Sequence, residues 1–217
     1  GLLPSASVVR ANFHRYVIDA NRDPSGVSLY PGQNSTGLVP LTDFDGETIW
    51  ASPPSEAQIE RQRVDYHAVY HSLLSTEIER VKKSHGAAIL YDCHSIRSAI
   101  PFLFDGTLPD LNIGTNNGVT CSKAIENAVA EICAASDFSF VVNGRFRGGW
   151  TTRHYGNPEG GVHAIQMEIA QSSYLESETA PFSYSKAKAE TLRATLKEIL
   201  QRIEALALSG QLYGDKK

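Results

Sequence analysis

Ala87–Tyr91 is an apolar run of strand length that leads without a break into Asp92, Cys93, His94, Ser95 and Arg97. Gly86 stands before it as a helix stop. A short apolar run with such punctuation reads as a buried strand. Open α/β sheets bind ligands just beyond the carboxyl ends of their strands, so Asp92 and His94 fall where a site is built. Two residues apart in extended backbone, they point to the same side. Two readings stay open. A metal-ligating histidine usually donates its second N–H to an acceptor such as a carboxylate, and this pair has that form. A core histidine at a strand end, with Asp92 as a turn or cap residue, has it too.

The rest of the chain limits the classes of partner. At 217 residues it is long enough for one large domain with its own core. A net charge of −4 argues against a nucleic-acid surface. No apolar run approaches the roughly 20 residues of a membrane span. The start, Gly1-Leu-Leu-Pro-Ser-Ala-Ser7, lacks the charged end and long apolar stretch of a signal peptide. Cys93, Cys121 and Cys133 are odd in number and widely spaced. They suit a reducing cytoplasm better than a disulfide framework. No CxxC pair is present to supply a thiolate zinc site.

In chain order, Ser7–Phe13 is β-prone and is expected to form a strand. Pro24 and Gly26 then mark a turn, placing Asp19, Asn21, Arg22 and Asp23 on a loop. That cluster is either solvated turn chemistry or a carboxylate clamp, because arginine pairs bidentately with carboxylates. Residues 27–54 hold Pro31, Pro40, Pro53 and Pro54 and read as a long loop. Ser55 with Gln58 matches a capping box, and Ile59, Val64, Tyr70, Leu73, Leu74, Ile78 and Val81 follow with partly helical spacing. His67 and His71 on that helix are i,i+4, a spacing that suits either a metal or simple packing. Residues 101–118 are turn-rich and are expected to run over the mouth of the site.

A helix is expected from about Ser122 to Ala135, and a strand over Phe138–Val142. The glycine-rich segment Asn143–Gly156 carries Arg145, Arg147, Arg153 and His154 but lacks GxGxxG or P-loop spacing. Its arginines suit a small anionic ligand, or a basic surface loop. Val162–Ala170 is a second apolar run with an acid inside it, and glutamate is rarely buried without a partner or a function. By period-2 parity His163 and Glu168 lie on opposite faces of such a strand. Leu192, Leu196, Ile199, Ile203 and Leu206 predict an amphipathic helix over Ser185–Ser209.

Strands that alternate with helices imply a three-layer α/β domain with a mixed, largely parallel central sheet flanked by helices. His94, Glu168 and several arginines then converge at one sheet edge. A metal ion beside a glutamate and arginines is a chemistry for hydrolysing an acyl bond next to a carboxylate. The metal lowers the pKa of its water to about 7, and the glutamate relays the proton to the leaving nitrogen.

The strings Arg15–Pro24, Leu29–Gln33, Asp92–Ser98, Leu108–Thr115, Asn143–Gly156 and His163–Ala170 together resemble the N-formylglutamate amidohydrolase family over nearly the whole chain. The resemblance implies a single α/β hydrolase domain over residues 1–217, phosphorylase/hydrolase-like and related to the zinc carboxypeptidases and the acyl-amino-acid deacylases. It implies hydrolysis of N-formyl-L-glutamate to formate and L-glutamate, the last step of one histidine-degradation route. The cofactor implied is Zn2+ or another divalent metal, and the partner is a small-molecule substrate with two carboxylates. Residue by residue, His94 is expected as a zinc ligand, Glu168 as general base and Arg15 as the group that stabilises the oxyanion. Asn21 and Arg22 are expected to hold a substrate carboxylate, with Arg97, Arg145 and Arg153 as candidates for the second.

One departure from the family stands out. Members usually carry an N-terminal strand and a Pro-His-x-Gly-like motif with acidic residues that look like the remaining metal ligands. This chain begins after that point, so weak or absent metal binding and little activity are expected of it. Two alternatives remain: a deacylase of another N-acyl acidic amino acid, or a catalytically inactive, truncated carboxylate-binding domain.

Overall fold

The structure is a computed structural model and describes residues 2–28 and 35–212. The string Leu29–Gln33 therefore lies outside the described residues. A four-stranded sheet runs through the centre in the order β1-β4-β2-β3. β1 is Ala88–Ile96, β2 Leu111–Gly114, β3 Phe140–Val142 and β4 Val162–Ala170. β1 pairs with β4 in parallel, β4 with β2 antiparallel, and β2 with β3 in parallel. The expected mixed, largely parallel sheet is present.

Side-chain parity divides this sheet into two faces. Tyr91, Leu111, Ile113, Ile165, Met167 and Ile169 all belong to one apolar cluster with α3 (Lys123–Ala135) and α5 (Lys186–Leu208). Ala88, Leu90 and Val162, at even positions, pack instead against Leu74 and Ile78 of α2 (Val69–His85) and against Tyr155 of α4 (Trp150–Tyr155). Helices thus cover both faces. Asp92, His94, Gln166, Glu168 and Asn112 share the even parity, so these five polar residues lie on the α2/α4 side.

Local signals explain most elements. Ser55 and Gln58 cap α1 (Glu56–Gln62) reciprocally, as their spacing implies. A π-helical stretch, Arg63–Ala68, joins α1 to α2, which ends at Gly86 in the left-handed region, φ 81°. Ser122 caps α3 through the Ile125 N–H.

Three expectations need correcting. Ser7–Phe13 forms no strand, because no neighbour pairs with it there; β-propensity reports fit to a pleated partner, not an intrinsic shape. The anchor strand does not end at Tyr91 but continues to Ile96, so Asp92 and His94 sit on the strand. The segment 101–118 is not all loop: Leu111–Gly114 is an inner strand whose four residues are all buried. Gly114 is needed there, since a Cβ would stand 2.3 Å from the Gly148 nitrogen.

Candidate active site

Strand pairing sets two polar rows across the sheet. His94 of β1 is the register partner of Glu168 of β4, which in turn faces Asn112 of β2. One pleat earlier, Asp92 faces Gln166, and Gln166 faces Gly114. His163 lies on the other face as parity requires, accepting from the Ser122 N–H at 3.1 Å through Nδ1.

Glu168 is buried, and its orientation is set by Gln166. The Gln166 Oε1 accepts from the Gly149 N–H at 2.7 Å, which turns its Nε2 toward Glu168 Oε2 at 3.1 Å. Burial raises the Glu168 pKa above the ordinary carboxylate value, and the positive charges of His94 and Arg15 hold back part of that rise. A carboxylate with raised proton affinity is suited to take a proton from water.

His94 is contested. Its Nε2 lies 2.9 Å from Asp92 Oδ1 and 3.0 Å from Asn21 Nδ2. The Asn21 carboxamide is oriented by its Oδ1, which accepts from the Thr151 N–H at 2.9 Å. One ring nitrogen does not accept from the amide and donate to the carboxylate at once. Burial favours the neutral ring, but Asp92 and then Glu168 outweigh it and raise His94 to about 9. At neutral pH Nε2–H therefore donates to Asp92, with the amide beside it.

The loop that carries Asn21 is built around Asp19. Asp19 Oδ1 accepts from the Asn21 N–H at 2.9 Å, and Oδ2 accepts from Arg15 at 3.1 Å. Burial pushes the Asp19 pKa up; Arg15, Arg22 and the Asn21 N–H outweigh it, so the net shift is down. Arg15 is thereby held where its charge acts on both Glu168 and His94. Gly149 lets the loop dock, since a Cβ there would lie 2.3 Å from Asn21 Nδ2.

For a cation the donor set is short. His94 Nε2 and the Asp92 carboxylate lie close enough to share one ion. Catalytic zinc normally takes three protein ligands, and among the described residues no three His, Cys, Asp or Glu side chains gather to hold a metal. His67 and His71 supply none: their Nε2 atoms face backbone carbonyls, of Arg22 at 3.0 Å and Ala20 at 2.8 Å. The described residues do not, by themselves, fit the implied zinc.

A family model described as N-formylglutamate amidohydrolase matches residues 2–175. The chain belongs to the N-formylglutamate amidohydrolase family. It is 45% identical over 203 residues to an N-formylglutamate deformylase of Pseudomonas putida, across 92% of this chain and 75% of that protein. A second deformylase, from Pseudomonas aeruginosa, is 44% identical over 203 residues, across 92% and 76%. In fold it resembles the crystal structure of an N-formylglutamate amidohydrolase from Ralstonia eutropha, with a TM-score of 0.69 at 21% identity over 88% of this chain and 73% of that one. A gene product of Agrobacterium tumefaciens gives 0.65 at 14% identity, over 88% and 68%.

Of the residues singled out by likeness to the amidohydrolases, His94, Glu168, Asn21 and Arg15 come together. Arg22 does not join them. Its guanidinium closes on Thr36 through Nε to the carbonyl (2.9 Å) and Nη2 to the hydroxyl (3.0 Å), beside a cavity of about 110 Å3 that it lines with Asp23, Ser35 and Thr36. Arg97 pairs with Asp45 at 2.8 Å. Arg145 donates to the Leu103 carbonyl and lies 5.8 Å from the centre of the Phe104 ring. Arg153, on α4, donates to the Gly148 carbonyl. Gln166 and Gly149 escaped the sequence reading. Gln166 was findable, being two residues before Glu168 on the same face; Gly149 carried no signal of its own.

Proposed function

We propose that this chain hydrolyses N-formyl-L-glutamate to formate and L-glutamate, with Glu168 as general base and Arg15 as the group that meets the oxyanion. The observation that carries this is the register pairing of buried Glu168 with half-buried His94, with Arg15 close enough to act on both charges. Glu168 takes a proton from water as the water oxygen bonds to the formyl carbon. The carbonyl oxygen becomes an oxyanion against the Arg15 guanidinium. The C–N bond then breaks, and Glu168 returns the proton to the departing amine.

The two substrate carboxylates need cations, and Arg97, Arg145 and Arg153 are the candidates beside Asn21 and Arg22. Arg22 would first have to release Thr36. Zinc, implied by the resemblance, would need at least one further protein ligand beside His94 and Asp92. Kinship of the fold with zinc carboxypeptidases belongs to the same proposal and rests on the family resemblance alone. So do a place in histidine degradation and a cytoplasmic setting; the three free thiols suit the latter.

The test is formate release by the wild type and by Glu168→Gln, with and without a chelator. Loss of the general base lowers kcat by about 10²–10⁴-fold, while substrate affinity stays within a few-fold. Unchanged turnover in Glu168→Gln removes Glu168 from the mechanism.

A further inference from the structure

His67 and His71, four residues apart, belong to no cluster of three metal-capable side chains among the described residues, yet both are buried, His67 at 2% exposed and His71 at 8%. Their Nε2 atoms face the carbonyls of Arg22 and Ala20. Those are the carbonyls on either side of Asn21, whose side chain points away toward His94 and the start of α4. The tautomer of His71 follows from its neighbours. Nε2 lies 2.8 Å from the Ala20 carbonyl, which only accepts, so Nε2 carries the hydrogen; the single hydrogen of the Tyr155 hydroxyl is shared between His71 Nδ1, 3.0 Å away, and the His71 carbonyl, 3.1 Å away.

The rings form one block. His67 and His71 are 4.4 Å apart by ring centres. Trp150 packs edge-on to His71 at 4.6 Å and stacks on His154 at 4.2 Å. Trp150 is the first residue of α4, and the next N–H in that helix, Thr151, is the one Asn21 receives. His67 lies in the π-helical stretch, a distortion that recurs at functional sites.

We propose that His67 and His71 are positioning residues for the reaction: as Nε2–H donors they pin the two carbonyls that flank Asn21 and so hold its carboxamide between His94 and the N-terminus of α4. The proposal rests on the reading of His94 and Glu168 as the reacting centre. Burial keeps both rings neutral near pH 7, with His71 brought down to about 4.

The experiment compares His67→Leu and His71→Leu with His67→Gln and His71→Gln in the full chain; glutamine returns an amide N–H near the Nε2 position. Two quantities are read: hydrogen exchange at the Thr151 amide, and kcat against KM for formate release. The leucine variants speed Thr151 exchange by about tenfold or more, because its acceptor has loosened. They lower kcat by about ten- to a hundredfold with KM within about threefold, as expected for loss of orientation at the reacting centre and not of substrate binding. The glutamine variants recover most of both losses. In an Asn21→Ala background, leucine at either position lowers kcat no further.

Wild-type Thr151 protection in folded leucine variants overturns the proposal. So does an undiminished leucine effect in Asn21→Ala. Should the leucine variants fail to fold, fast Thr151 exchange in folded glutamine variants overturns it, and wild-type protection there supports it. A wild type that releases no formate defeats the proposed function but leaves the exchange measurement standing as the test of the clamp.

Discussion

Gly149→Ala tests the docking of the Asn21 loop at a single carbon. Gly149 has φ −78° and ψ −168°, an extended conformation open to alanine, so the substitution adds a methyl group without backbone strain. That methyl would lie 2.3 Å from Asn21 Nδ2, 2.4 Å from Oδ1 and 2.5 Å from Cγ. The carboxamide is held by Thr151 on one side and meets His94 on the other, so it has to leave. Overpacking costs about 1–3 kcal/mol, and stranding the buried Thr151 N–H about 1–3 kcal/mol more. The total, about 2–6 kcal/mol, lowers Tm by about 4–24 °C in a chain of this size. Formate release falls at least about tenfold, because the amide no longer lies against His94. Gly37→Ala is the control: its Cβ meets only the Val39 carbonyl oxygen, at 3.8 Å, and Tm should move by no more than about 2 °C. Calorimetry and formate assays on the three proteins decide the matter. A Gly149→Ala protein that melts and turns over like wild type would show that Asn21 is not seated as described.

Two further predictions concern pH and metal. His71 is brought down from 6.5 to about 4, chiefly by burial; the unfolded chain therefore binds a proton below pH 6.5 that the folded chain refuses. Its stability is complete above pH 6.5 and is lost as pH falls toward 4, by up to about 3 kcal/mol. His94 behaves oppositely: burial is outweighed by Asp92 and it rises to about 9, so its contribution is complete below pH 6.5 and disappears as pH rises through 9. Urea denaturation across pH 4.5–9.5 should show a maximum near pH 6.5, with a shallower acid limb in His71→Gln; an unchanged limb refutes the burial argument. Zinc titrated against a chromophoric chelator should bind this chain weakly, since His94 and Asp92 make two ligands where three are usual; tight one-to-one binding lost in His94→Ala would contradict this.

Periodicity reports which face a residue occupies, and on that question the sequence was informative. It separated His163 from Glu168 before any partner strand was known, and it marked the apolar face of α5 and the cap at Ser55. Periodicity does not report neighbours across the sheet. The step from "same face" to "same row" needed the register His94↔Glu168, which two strands more than sixty residues apart settle by pairing. β2 shows the same limit. Four residues are too few to display a period, and Asn112 breaks the apolar pattern; it is tolerated because its amide donates to the Pro109 and Glu168 carbonyls.

Arg22 shows a third kind of limit. A local motif names a side chain but not its direction. Here the guanidinium closes on Thr36, fourteen residues on, while its neighbour Asn21 reaches His94. The division has a physical cause. With Asp19 occupied by Arg15 and by the Asn21 N–H, and with the carbonyls of residues 20 and 22 facing His71 and His67, the Asn21 side chain is directed toward His94 and the start of α4. The backbone polar groups of a buried loop must all find partners. Satisfying those at residues 19–22 also aims the Asn21 carboxamide at His94, so the packing of this loop and the geometry of the site are one constraint.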